Sequence, residues 1–105
     1  MSKPRGYVGL DVDLVQGDGL TAVAKIVLDA RLFGFIADDE TCKDWPAGNI
    51  QELYDRVTKA WEPYGNLPSQ LPPELREKHA KLYDPAILTA KESGWDPVRD
   101  LENDR

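Results

Sequence analysis

Ile50, Leu53, Tyr54, Val57, Ala60 and Trp61 recur at spacings of three and four, a period that puts them on one face of an α-helix and on no single face of a strand. A short amphipathic helix gains most of its stability from packing, so other parts of the chain must cover this stripe. Asp44, Trp45 and Pro46 precede it, and proline is tolerated at a helix start because its missing donor would be unpaired there. Pro63 and Gly65 end it. The spacing predicts a helix over 46–62.

Prolines punctuate the next stretch of chain. Pro68, Pro72 and Pro73 make residues 66–73 a stiff connector, too short to separate domains. The next helix is expected over 72–83, with Leu75, His79 and Leu82 inward. Asp84 and Pro85 then kink the chain or restart it as a helix over 85–93. Gly34 is followed by Phe35 and Gly94 by Trp95, the pattern of a left-handed glycine cap whose next apolar residue folds back on the last turn. Residues 96–105 are polar and read as a tail.

The first third of the chain is more ambiguous. Val8, Leu10, Val12 and Leu14 alternate with Gly9, Asp11 and Asp13, which predicts a half-buried strand over about 7–15. Residues 19–33 fit a helix, with Asp18 as N-cap and Thr21, Lys25 and Asp29 on one polar stripe. They also fit the second strand of a hairpin turning at Asp18 and Gly19. The alanines and the Gly34 stop favour the helix, although Leu32 then falls on the polar side. The expected fold is mainly α: three to four short helices in one domain over 1–95, with one N-terminal β-strand or extended arm. The alternative is α+β with an N-terminal hairpin.

Nineteen acidic side chains against thirteen basic give a net charge of −6 over 105 residues. That balance repels phosphate backbones and anionic lipid, so neither nucleic acid nor membrane is an expected partner. The apolar run from Leu20 to Ile36 is interrupted by Lys25, Asp29 and Arg31, which argues against a membrane span. With no apolar leader after Met1 and a single cysteine, Cys42, the expected setting is a reducing cytoplasm and a soluble chain.

Motifs that would carry chemistry break down on inspection. Asp11, Asp13 and Asp18 suggest a calcium loop, but Gln16 stands where the turn glycine belongs and Ala22 where the bidentate glutamate belongs. Gly17 and Gly19 lack the third glycine of a dinucleotide loop and the lysine of a phosphate loop. Cys42 and His79 are the one possible nucleophile and base, and with Asp38, Asp39 and Glu40 they form the alternative site. One chain supplies only two nitrogen or sulfur ligands, too few for structural zinc, so no metal or other cofactor is expected. The bland reading of His79 is a half-buried histidine on an apolar helix edge.

The functional expectation is a small non-enzymatic interaction or accessory protein whose partner is another protein or a second copy. A lone strand leaves backbone donors unpaired, so Val8, Leu10, Val12 and Leu14 form the candidate interaction surface. The alternative is a small enzyme or ligand-binding protein that uses carboxylates and His79 in a pocket formed by folding.

Overall fold

This computed structural model describes residues 6–16 and 19–95, and four α-helices carry them: α1 (Leu10–Leu14), α2 (Ala22–Leu32), α3 (Ala47–Trp61) and α4 (Pro73–Glu92). Single 3-10 turns at Glu62–Tyr64 and Pro68–Gln70 join α3 to α4. The chain is mainly α, as its periodicities predict. The predicted tail over 96–105 and the Asp18 cap lie outside the described residues.

α2 is the central element and packs against α1, α3 and α4. Ala24, Val27, Leu28, Ala30 and Leu32 are all buried, which explains Leu32: a helix surrounded by neighbours needs no single polar face. Around it close Leu10 and Leu14 from α1, Leu53, Val57 and Trp61 from α3, Leu71, and Ala86 from α4. The Thr21 side chain caps α2 by accepting from the Ala24 N–H at 3.1 Å.

Both glycine stops form as expected. Gly34 N–H donates to the Arg31 carbonyl at 3.2 Å and Phe35 N–H to the Ala30 carbonyl at 2.8 Å; Gly94 and Trp95 repeat this toward Lys91 and Ala90, both at 3.1 Å. Each pair of bonds satisfies carbonyls that the helix end leaves open.

Two expectations are corrected. The strand over 7–15 does not form: Tyr7 to Gly9 are non-helical and Leu10–Leu14 is a helix. Leu10 and Leu14 lie four apart as well as two apart from Val12, so the same alternation also fits a helix that buries Leu10, Asp13 and Leu14. The arm pairs internally, with the turn at residues 41–45 rather than with a second hairpin strand. Tyr7 N–H donates to the Trp45 carbonyl at 3.0 Å, Asp44 N–H to the Tyr7 carbonyl at 2.7 Å, and Leu10 N–H to the Thr41 carbonyl at 3.0 Å. The approach is close enough that a Cβ on Gly6 would lie 2.3 Å from the Asp44 carbonyl carbon.

The second correction concerns Pro85. α4 runs through it without a break, joining the two helices expected over 72–83 and 85–93. Pro85 and Lys81 are both exposed, so water can solvate the Lys81 carbonyl that loses its donor.

Candidate functional site

The four aliphatic residues predicted as one surface are divided by the helix. Leu10 and Leu14 are buried in the core, while Val8 and Val12 are exposed, at 44% and 45%. They share no face, and the edge-strand contact is not available.

Cys42 and His79 are engaged in separate neighbourhoods. Cys42 sits fully buried in the turn that pairs with the arm, in a left-handed conformation with φ 62°. Its N–H donates to Glu40 Oε2 at 2.9 Å. Burial and then the Glu40 carboxylate push its thiol up to about 11, against a smaller opposing effect of Arg31, the reverse of what activates a nucleophile. His79 instead stacks on Tyr83, with centroids 4.2 Å apart, and meets Trp61 edge-on. Asp38 and Asp39 are exposed, and Asp38 pairs with Lys78 at 3.7 Å. Among the described residues no group of three or more His, Cys, Asp or Glu is arranged to hold a metal ion, and no helix is long and apolar enough to cross a membrane.

The arm, the start of α2 and the start of α3 enclose a cleft of about 520 Å³, walled by Tyr7, Val23, Ile26, Trp45, Ile50 and Tyr54. No charged side chain among the described residues lines it. Two of its polar side chains are engaged internally. Tyr7 O–H donates to the buried Asp13 carboxylate at 2.5 Å, and Gln51 Nε2 donates to Asp55 Oδ1 at 3.1 Å. Asp13 also receives the Thr21 hydroxyl at 2.6 Å, so one carboxylate ties the arm to the cap of α2 and sets the angle of the cleft's Tyr7 wall. Burial and the neighbouring Asp13 carboxylate keep the Tyr7 hydroxyl protonated well above the usual phenol range.

A second cleft, about 450 Å³, lies between α2, the 66–68 connector and α4, with Lys25, Asp29, Trp61, Asn66, Pro68, His79 and Tyr83 around it. Asp29 holds two hydrogen bonds there. Tyr83 O–H donates to Asp29 Oδ1 at 2.6 Å and Trp61 Nε1–H to Asp29 Oδ2 at 3.0 Å. Burial raises the Asp29 pKa, partly offset by those two hydrogen bonds and by His79 and Lys25. Burial and Asp29 together push the Tyr83 hydroxyl far upward.

The sequence alone assigns Asp29 only to a polar stripe. The signal that could have found it is that Trp61 and Tyr83 each carry one polar atom that needs a partner when buried, and Asp29 is the one carboxylate of α2. The apolar cleft has no such signal, because its walls come from three segments that only the tertiary fold assembles. Comparison with protein-family models, with curated proteins and with solved structures finds no match to this chain.

Proposed function

We propose that the chain is a small non-enzymatic interaction or accessory protein, working in the cytoplasm, that holds an apolar segment of another protein in the cleft between the arm, α2 and α3. The observation that carries this reading is the cleft's chemistry. Aromatic and branched walls, with no charged side chain among the described residues that line the cleft, favour apolar side chains over a polar reactant. Tyr54 on its rim is 47% exposed, and an exposed tyrosine beside an apolar cleft is the kind of residue that dominates contact energies. Two copies, each at −6, repel one another, which favours a different protein over a homodimer.

The alternative, a small enzyme or ligand-binding protein, draws on the presence of His79 and Asp29 in one cleft. An acid–base role is the weaker part of it: both Asp29 oxygens are occupied by Tyr83 and Trp61, and neither His79 nitrogen is hydrogen-bonded to a carboxylate among the described residues.

The test is recovery of the native protein from its own cells as wild type, Ile50→Glu and Val12→Glu, with quantification of what copurifies. Ile50 lines the cleft and Val12 lies on the exposed side of α1. The reading expects a stoichiometric partner that Ile50→Glu loses and Val12→Glu keeps. A partner that survives Ile50→Glu would refute it.

A further inference from the structure

The apolar cleft between the arm, α2 and α3 has an acidic rim. Its walls hold no charged side chain among the described residues, so the charge it presents comes from the residues beside them. Asp44 stands at the arm end: it is exposed, precedes Trp45 of the wall, and its backbone lies against Gly6, another wall residue. Asp55 stands at the α3 end: it is exposed, follows Tyr54 of the wall, and its Oδ1 accepts from the wall residue Gln51 at 3.1 Å. The α3 wall between them, Ala47 to Tyr54, is roughly 10 Å long by the rise of an α-helix. Neither carboxylate is in an ion pair among the described residues. The basic side chains nearest in sequence are engaged elsewhere or stand apart. Lys25 lines the second cleft, Arg56 lies over the Phe35 ring at 4.5 Å, Lys43 has its stem beside Gly9, and Lys59, one turn beyond Asp55, does not pair with it.

We infer that the partner segment held in this cleft is a basic amphipathic one, its apolar side chains inside and lysine or arginine on both sides of them, facing Asp44 and Asp55. This names the partner's chemistry and rests on the proposed interaction. An apolar centre supplies contact area to any apolar segment, whereas the charges around it select among segments and set how fast they arrive. Two carboxylates without cationic partners at opposite ends of one wall favour cations at both ends of the occupant and repel an acidic or phosphorylated segment. The net charge of −6 acts in the same direction at longer range.

The experiment uses the full-length chain and nuclear magnetic resonance titration with three synthetic peptides that share one apolar centre of Leu, Phe and Ile and differ only in their flanks: lysine, serine or glutamate. The Ile26 and Ile50 methyl signals report occupancy of the cleft. The lysine-flanked peptide is expected to bind about fivefold more tightly than the serine-flanked one, the scale of two exposed ion pairs, and the glutamate-flanked one more weakly than either. The advantage should fade at about 0.5 M salt. Asp44→Asn with Asp55→Asn should remove most of it and leave the serine-flanked peptide unchanged; asparagine tolerates the left-handed backbone at position 44, where φ is 68°. Glu77→Gln with Glu92→Gln makes the same charge change on α4, which does not line the cleft, and should preserve the advantage. Serine flanks binding as tightly as lysine flanks, glutamate flanks binding tightest, or equal losses from the two double variants would overturn the inference while leaving the interaction itself standing. Failure of all three peptides to shift the Ile26 and Ile50 signals would overturn both.

Discussion

Tyr83 and Asp29 are 54 residues apart in sequence, and the Tyr83 hydroxyl donates to the Asp29 carboxylate at 2.6 Å. With Trp61 on the other oxygen, this carboxylate is the point where α2, α3 and α4 are pinned by polar contacts rather than by packing alone. Removing one donor leaves the other in place, whereas removing Asp29 strands two donors. Tyr83→Phe should therefore cost about 2 kcal/mol, the range for a hydrogen bond to a charged group, and Asp29→Ala should cost more than that. Urea unfolding of the two variants checks the order, and equal or reversed losses would contradict it.

The same pin predicts a pH dependence. Burial raises the folded pKa of Asp29 above its ordinary 3.8, so the folded state holds that proton more tightly than the unfolded state does. The stability linked to this proton is fully present below the unfolded value and is lost as pH rises through the raised folded value. The stability difference between wild type and Asp29→Asn, measured across that acid window, should shrink as pH increases. A difference that grows with pH would mean that the hydrogen bonds from Tyr83 and Trp61 outweigh burial.

Pairing of the arm with the turn around Cys42 is testable through the thiol. A Cβ on Gly6 would fall 2.3 to 2.6 Å from Asp44 backbone atoms, which no side-chain adjustment can relieve. Gly6→Ala should displace the arm and accelerate labelling of the otherwise buried Cys42 by a thiol reagent. Labelling as slow as in the wild type would show that the arm does not shield this site. Cys42→Ser should cost about 1–2 kcal/mol by burying a hydroxyl in place of a thiol.

At Gly34 the backbone has φ 78°, and an added Cβ would meet nothing within 4 Å. The penalty of Gly34→Ala is then conformational, about 1 kcal/mol, and thermal or urea unfolding should show a loss of that size. A loss several times larger would point to a packing role for this position.

Helix α3 and the two glycine stops are legible in the sequence because their signals are local: a period of 3.6, a proline before, a glycine and an aromatic after. Val8 to Leu14 reads as a strand because period two and the i, i+4 spacing of Leu10 and Leu14 coincide over so short a segment. What decides between them is tertiary, namely the burial of Asp13 against Tyr7 and Thr21. Pro85 misleads for a related reason: its cost depends on whether the Lys81 carbonyl is solvated, which depends on the side of α4 that faces out. His79 lies on an apolar helix edge, as its spacing predicts, but its neighbours Asp29, Trp61 and Tyr83 come from three helices. Neither cleft is written in any contiguous stretch of residues.

Photo-crosslinking from the cleft rim tests the proposed contact most directly. A photoreactive phenylalanine replaces Tyr54, which is 47% exposed beside the cleft, or Leu88, which is 57% exposed on α4, and the native cells are irradiated. The account predicts one discrete adduct from position 54, heavier than the chain by the mass of a different protein, and none from position 88. No adduct from 54, the same adducts from both positions, or an adduct with twice the mass of the chain would contradict it.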